Sequence, residues 1–207
     1  MPKSKVKIMA SAPGYNLAAL GYDKKESYLN SFEQGQVLGM MGDLTGKKIL
    51  DVGAGTGRLA IELARLGAEV TALDVSGSML RVLEQKARKA GVRINTVVGD
   101  AESLDLPDHS FDWIISTFVI VHLKDPKYFF IEAYRVLKDG GKLLVTNINQ
   151  KEPPDVKTPD GVIKIESYYH RPEKIKEELE ELAFGIEAEK IIKEKEVWIN
   201  QIIVAKK

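Results

Sequence analysis

Short apolar runs alternate with stretches of helical periodicity from about residue 47 to residue 148. Apolar runs between turn signals are typical of buried strands, and apolar positions three or four apart are typical of amphipathic helices. A chain that alternates the two is typical of a doubly wound α/β sheet. The predicted strands lie at 48–52, 68–75, 92–98, 111–119 and 142–148.

Three helices are predicted among these strands. The second begins at a serine cap, Ser76 or Ser78. The third has Asp125 as its N-cap and Pro126 as its first residue, and it is expected to continue to Gly140. The inward positions of the first two helices are expected to be Leu59, Leu63 and Leu66, then Met79, Leu83, Ala87 and Ala90.

The pattern changes on both sides of this region. A polar, proline-containing loop follows residue 148, then a short predicted strand at 162–169 and a helix from residue 171. Two final strands joined by a tight charged turn near residue 194 predict a hairpin. Residues 1–46 contain one predicted helix near 24–42, which favours a cap over a second domain.

The composition of the chain limits the number of domains and the classes of partner. A chain of 207 residues that is 44% hydrophobic is large enough for one domain with its own core. The 30 basic and 30 acidic residues give a formal net charge of zero, so no strong nucleic-acid signal is present. Neither a membrane span nor a signal peptide is predicted, and a cytoplasmic location is expected.

The chain contains no cysteine. Disulfides, thiolate zinc sites, a cysteine nucleophile and iron–sulfur clusters held by cysteine are therefore excluded. No other metal site is predicted. No Asn/Asp-Pro-Pro-aromatic motif lies at the end of the fourth predicted strand, where the chain reads "STFV" at 116–119.

A glycine-rich turn, "DVGAGTG" at 51–57, connects the first strand to the first helix. Glycines in such a turn let a ligand approach bare backbone, and a phosphate, a dinucleotide and a sulfonium cofactor are the candidates. The dinucleotide fingerprint requires a glycine where this chain has Arg58. A phosphate-binding Walker loop requires a Gly-Lys-Ser/Thr sequence, which is absent here.

Two carboxylates follow at the ends of the next strands. Asp74 closes the second strand about 20 residues after the loop, where a ribose-binding carboxylate is expected, although taken alone it could equally be a helix cap or a surface charge. Asp100 follows the third strand and could accept a hydrogen bond from an adenine amino group, with the backbone of Ala101 and Glu102 nearby. In this order, the loop and the two acids support one another.

With these features in place, the chain resembles the class I S-adenosylmethionine-dependent methyltransferases, in particular the group that includes the ubiquinone/menaquinone-biosynthesis C-methyltransferases. The segments that carry the resemblance are "ILDVGAGTGRLA", "VTALDVSGSML", "GDAESLDLP", "FDWIISTFVIVHL" and "EAYRVLKDGGKLLV". The last helix of that family often ends Ala-Gly-Phe, whereas this chain has "LAFG" at 182–185.

The resemblance implies a Rossmann-like, three-layer α/β/α fold with seven strands, the last antiparallel. The chain is expected to form one domain, 1–207, with an N-terminal helical cap (1–46), a cofactor-binding core (47–148), an irregular acceptor-side insertion (149–170) and a last helix with the terminal hairpin (171–207). The implied cofactor is S-adenosyl-L-methionine, and the acceptor is expected to be a small molecule. A monomer or a homodimer is expected.

The resemblance also implies roles for individual residues. Asp51 would approach the methionine ammonium, Asp74 would hold the ribose, and Thr117 would lie near the methyl group. The other implied cofactor contacts are Gly53, Ala54, Gly55, Gly57, Val75, Met79, Asp100, Ala101, Glu102 and Tyr15. Tyr22 is an alternative to Tyr15 over the cofactor.

Methyl transfer requires alignment above all, and a catalytic group only if the acceptor must lose a proton. His122 is the candidate base or orienting group, against a structural role beside Asp125. Tyr169 and His170 are candidates for the acceptor pocket, against core packing and helix capping. The alternative functions are a methyltransferase acting on tRNA or a protein, a non-catalytic cofactor-binding protein, and a nicotinamide oxidoreductase.

Overall fold

The computed structural model describes residues 6–33 and 35–207. In chain order the strands are β1 (Ile8–Met9), β2 (Lys48–Val52), β3 (Glu69–Asp74), β4 (Ile94–Val98), β5 (Phe111–Ser116), β6 (Leu137–Ile148), β7 (Asp155–Thr158), β8 (Gly161–Ile165), β9 (Gly185–Glu194) and β10 (Val197–Lys206). The helices are α1 (Ser11–Ala18), α2 (Glu26–Glu33), α3 (Gln36–Gly39), α4 (Arg58–Arg65), α5 (Gly77–Ala90), α6 (Pro126–Val136) and α7 (Pro172–Glu181). Short 3-10 helices lie at Ala19–Lys25 and Ile120–His122.

Seven strands form the main sheet in the order β4-β3-β2-β5-β6-β10-β9. Neighbours from β4 to β6 are parallel, whereas β10 is antiparallel to both β6 and β9. Because these strands are parallel, the carboxyl ends of β2, β3, β4 and β5 lie along one edge, and the strand order reverses between β2 and β5, where doubly wound folds bind their ligands. The predicted fold class, including the antiparallel last strand, is confirmed.

Helices cover both faces of this sheet. On one face of the sheet, Leu63 of α4 and Leu83 of α5 pack in a cluster with Ile49. On the other face, Phe129 of α6 and Leu179 of α7 belong to a second cluster. Two predicted caps are present: the Ser76 hydroxyl accepts a hydrogen bond from the Met79 N–H, and Asp125 precedes Pro126 as the N-cap of α6.

Several predicted boundaries are wrong. Helix α6 ends at Val136, not near Gly140, because Leu137 is extended and begins β6. Strand β8 ends at Ile165, short of the predicted residue 169. Leu66 lies just past α4 and is 52% exposed, so it does not face the core.

The N-terminal region differs most from the prediction. The single helix predicted near 24–42 is two helices, α2 and α3, and α1 with its following 3-10 turn was not predicted. Residues 1–5 and 34 of the predicted cap lie outside the described residues. A second small sheet, β1-β8-β7, joins this region to the segment after β6. Its apolar residues pack with Met79 of α5.

The end of α7 explains the unusual "LAFG" sequence. The N–H of Phe184 donates to the carbonyl oxygen of Leu179 (3.1 Å) and that of Ala183 to the carbonyl oxygen of Glu180 (3.0 Å). This is the pattern of a Schellman motif, in which glycine is favoured at the left-handed position. Ala183 occupies that position with φ of 65°.

We expect Ala183→Gly to raise the free energy of unfolding by about 1 kcal/mol, because a left-handed conformation costs alanine more than glycine. Urea denaturation would measure the change. Ala90→Gly, at the last residue of α5, is the matched control and should lower stability by roughly 0.5–1 kcal/mol. Equal destabilisation by both substitutions would show that the Ala183 backbone carries no strain.

Candidate functional site

The glycine loop follows β2 at the ligand-binding edge of the sheet. Gly53, Gly55 and Gly57 all have positive φ, at 73°, 54° and 87°. A Cβ on Gly53 would lie 2.1 Å from the Val119 side chain, and one on Gly57 would lie 2.6 Å from Leu83. A Cβ on Gly55 would meet nothing within 4 Å. Packing therefore accounts for Gly53 and Gly57, whereas Gly55 faces open space.

Asp74 ends β3 beside this loop. Its Oδ2 accepts a hydrogen bond from the Gly55 N–H and its Oδ1 from the Ser76 N–H, each at 2.8 Å. Burial raises the pKa of Asp74 above its usual value, and these two backbone donors lower it. Each carboxylate oxygen keeps a further lone pair, so the group can still accept hydrogen bonds from a diol.

One cavity of about 300 Å³ extends over the glycine loop and the ends of β3, β4 and β5. This is at the lower end of the range for ligand pockets. Most of the predicted site residues line it: Tyr15, Asp51, Gly53, Ala54, Gly55, Asp74, Val75, Met79, Asp100, Ala101, Glu102, Thr117 and His122. Gly57 does not line the cavity, because it lies next to Leu83 of α5.

Asp51 is the polar group in this cavity that most clearly lacks a partner. It is 2% exposed, and its Oδ2 has no hydrogen-bond partner. Burial raises the pKa of Asp51 to about 7; Arg58 opposes the rise, and the nearby Asp74 and Glu33 carboxylates add to it. A buried carboxylate oxygen without a partner is costly, so a cationic ligand group is the expected complement.

Arg58 forms a network that the sequence did not reveal. Its Nη1 lies 2.7 Å from Oε2 of Glu33 and its Nη2 lies 2.9 Å from Oε1, a bidentate pair between α4 and α2. Glu33 is only 3% exposed. Nη2 also lies 3.3 Å from the Thr117 hydroxyl, and the guanidinium carbon lies 5.6 Å from the centroid of the Phe118 ring. The charge of Arg58 is therefore matched before any ligand binds.

Three further hydrogen bonds hold the N-terminal region over the cavity. Asn16 Oδ1 accepts hydrogen bonds from the Ser76 hydroxyl (2.7 Å) and the Ser78 N–H (3.1 Å). Asp23 accepts one from the Thr56 hydroxyl at 2.6 Å. With the Glu33–Arg58 pair, these contacts connect the cap to the glycine loop and to the start of α5.

His122 and Tyr15 form a hydrogen-bonded pair inside the cavity, with the Tyr15 hydroxyl 2.7 Å from His122 Nε2. His122 Nδ1 lies 2.8 Å from the carbonyl oxygen of Glu166. Since a carbonyl only accepts, Nδ1 carries the proton, and Nε2 of the neutral ring accepts from Tyr15. Burial lowers the pKa of His122, which favours this neutral form.

The tyrosine hydroxyls are also neutral. Burial, together with electrostatic interaction with Tyr22 and Asp74, raises the pKa of Tyr15 well above 10, and burial raises the pKa of Tyr22 to about 12. The two rings meet edge to face with centroids 5.7 Å apart. Both tyrosines considered for the cofactor lid therefore line the cavity together.

The structure does not bring Tyr169 and His170 into this cavity. Tyr169 is 41% exposed and packs its ring near Trp198, because β8 ends before it. His170 donates through Nε2 to the carbonyl oxygen of Leu123 at 2.9 Å. Asp100 accepts from the Glu102 N–H at 2.9 Å, so it also stabilises its own turn.

Among the described residues, no cluster of three acidic or histidine side chains could hold a metal ion. Within the same part of the chain, no helix is both long and apolar enough to cross a membrane.

The strand order, the open glycine loop and the acids at successive strand ends define a doubly wound fold with one cavity at the carboxyl edge of its sheet. Residues 50–145 match the family model described as a methyltransferase domain. A demethylmenaquinone methyltransferase from Tropheryma whipplei is 34% identical over 136 residues, which cover 63% of this chain and 56% of that protein. The chain spans about half the length of the curated relatives it matches.

Solved structures share the fold. The PH0226 protein from Pyrococcus horikoshii has a TM-score of 0.72 at 21% identity, covering 92% of this chain and 95% of that one. The [4+2]-cyclase SpnF has a TM-score of 0.68 at 21% identity over 99% of both chains. These two likenesses establish the fold and not the reaction. Residues 50–145 are therefore similar to a methyltransferase domain, on a fold that these two solved structures share.

Proposed function

We propose that the protein transfers a methyl group from S-adenosyl-L-methionine to a small-molecule acceptor. The observation that carries this proposal is the unpartnered Oδ2 of the buried Asp51 carboxylate, which shares one cavity with the Asp74 carboxylate and the open backbone at Gly55. A ligand with an ammonium at one end and a ribose diol in the middle complements both acids. The names of the curated relatives support a small acceptor.

In this arrangement Asp51 pairs with the methionine ammonium and Asp74 accepts from the ribose hydroxyls. Val75 and Met79 flank the adenine, and the turn at Asp100 and Ala101 presents polar groups to its edge. Thr117 lies beside the Arg58 network at the end of β5, where the methyl group is expected. The cofactor supplies the activated methyl group, and the protein supplies alignment and exclusion of water.

Alignment and exclusion of water alone are worth about 7–11 kcal/mol in well-oriented reactions. An acceptor that must lose a proton needs more. The Tyr15 hydroxyl is the group of the Tyr15–His122 pair that can face the acceptor, since His122 Nε2 already contacts it. Tyr15 would accept the acceptor's proton while passing its own to Nε2, and the Glu166 carbonyl would orient the imidazolium.

Calorimetry with S-adenosylhomocysteine tests the cofactor assignment. We expect binding of S-adenosylhomocysteine and none of NAD; the reverse would favour a nicotinamide oxidoreductase. Asp74→Ala should weaken binding by about 1.5–3 kcal/mol, the worth of a hydrogen bond to a charged group. Asp43→Ala, at an exposed carboxylate outside the cavity, is the matched control. Unchanged affinity in Asp74→Ala would refute the ribose assignment.

Detection of S-adenosylhomocysteine formed with an acceptor separates an enzyme from a binding protein. We expect S-adenosylhomocysteine to be released during incubation with small-molecule fractions and not with tRNA or protein fractions. Tight cofactor binding without product in any fraction would favour a non-catalytic role.

A further inference from the structure

The side chains around the cavity are strongly biased in charge. The acids that line it are Asp23, Asp51, Asp74, Asp100 and Glu102, and the only cation among its described lining residues is Arg58. Arg58 is matched by Glu33 in the bidentate pair described above, and Asp23 lies 3.0 Å from Lys86. The described lining therefore presents unmatched negative charge and no unmatched positive charge.

The cofactor neutralises only part of this charge. Its ammonium and sulfonium add two positive charges and its carboxylate one negative charge, so one net positive charge enters. Asp51 takes the ammonium, whereas Asp74 and Asp100 act as acceptors for neutral groups. Glu102 remains on the cavity wall, and burial together with repulsion from Asp100 and Asp125 raises its pKa. An anionic acceptor would find no counter-ion here.

Aromatic rings also line the cavity. They are Tyr15, Tyr22 and Phe118, and the Phe118 ring already lies against the Arg58 guanidinium, whereas the faces of the two tyrosine rings carry the negative part of the ring quadrupole. Such faces attract ammonium groups, by about 0.5–2 kcal/mol each depending on exposure. Acids and ring faces together are the features that recognise an organic cation.

We infer that the methyl acceptor is a small amine bound as its ammonium ion, and not a carboxylate, a phosphate ester or an uncharged alcohol. The inference rests on the proposed function, because it concerns the acceptor of that same site. The amine shares one cavity with the cofactor, so a small amine is the expected ligand.

The reaction balances with the groups present. The ammonium gives one proton to the Tyr15 oxygen as Tyr15 passes its own to His122 Nε2, which leaves a neutral amine with a free electron pair. The nitrogen attacks the methyl carbon, the carbon–sulfur bond breaks, and its electron pair stays on sulfur as a neutral thioether. The methylated product leaves as an ammonium ion, and His122 releases its proton to solvent.

The test uses the full chain saturated with S-adenosylhomocysteine and two matched sets of probes. Benzylamine, benzyl alcohol and benzoate share a ring, and propylamine, propanol and propionate share a short chain. Calorimetry should show at least one amine binding about tenfold or more tighter than its matched alcohol, with no binding of its matched acid. Mass spectrometry after incubation with S-adenosylmethionine should then detect that amine with one added methyl group.

Substitutions make the test specific. Glu102→Gln should lower amine affinity several-fold and leave alcohol affinity unchanged, whereas Glu62→Gln, exposed on α4, should change neither. An alcohol or acid that binds as tightly as its matched amine, or failure of both amines to bind, would overturn the inference. Failure of S-adenosylhomocysteine itself to bind would instead overturn the proposed function.

Discussion

Asp51→Asn is expected to abolish most cofactor affinity while making the free protein more stable. The asparagine keeps the shape of the side chain but cannot pair with the methionine ammonium. Breaking a buried ion pair by removing one partner costs about 3–5 kcal/mol, which is roughly a 10²–10⁴-fold loss of affinity. Calorimetry with S-adenosylhomocysteine measures this loss, and 5′-methylthioadenosine, which lacks the aminoacyl end, should bind both forms equally.

The same substitution should stabilise the ligand-free protein at high pH. The pKa of Asp51 is raised from 3.8 to about 7 by burial, so the folded state holds this proton more tightly than the unfolded state does. Stability from this group is therefore present below about pH 4 and is lost as pH rises through 7. At 1.36 kcal/mol per pKa unit, the loss is on the order of 4 kcal/mol.

Denaturant unfolding at pH 5 and pH 8 checks this expectation. The difference in free energy of unfolding between Asp51→Asn and the wild type should grow with pH by a few kcal/mol. Asp105→Asn, at an exposed carboxylate, is the matched control and should show no such growth. A pH-independent difference would mean that Asp51 is ionised in the free protein.

Cofactor affinity should also depend on pH. Below pH 7 the free protein carries a proton on Asp51 that must leave before the ammonium can pair with the carboxylate. Affinity for S-adenosylhomocysteine should therefore fall by about tenfold for each pH unit below 7, with proton release visible in buffers of different ionisation enthalpy. The affinity of Asp51→Asn should not change over that range.

The contrast between predicted and unpredicted site residues has a physical origin. The glycine loop, Asp74 and Asp100 lie directly after strands, and parallel strands bring their carboxyl ends to one edge whatever the rest of the chain does. Periodicity and turn chemistry are local properties of the chain, so these features can be identified from the sequence alone. Their placement around one cavity follows from strand order alone.

The Arg58 and Tyr15 contacts depend instead on how the N-terminal region packs. Glu33 precedes Arg58 by 25 residues, and Tyr15 precedes His122 by 107. Arg58 was visible only as a departure from a glycine fingerprint, and no spacing rule identifies Glu33 as its partner. Tyr169 was assigned to the acceptor pocket as the last residue of a predicted strand, and His170 as a residue before the last helix; the strand ends at Ile165, four residues earlier than predicted.

His122→Gln is expected to lower the rate of methyl transfer by about 10²–10⁴-fold, the usual worth of a general base. Glutamine can still accept a hydrogen bond from Tyr15 but cannot take up its proton. Tyr15→Phe should cause a loss of similar size, because the proton transfer requires both Tyr15 and His122. Tyr128→Phe, at an exposed tyrosine on α6, is the matched control.

The readouts separate this role from a structural one. S-adenosylhomocysteine affinity should stay within a few-fold of wild type in His122→Gln, so that the loss appears in kcat. Burial lowers the pKa of His122 from 6.5, so the base form persists into acid. Wild-type kcat should therefore fall only below pH 6.5, as His122 gains its proton, and this fall should vanish in His122→Gln. If His122→Gln retains kcat within twofold of wild type, the acceptor loses no proton to this pair, and Tyr15 acts by covering the cofactor.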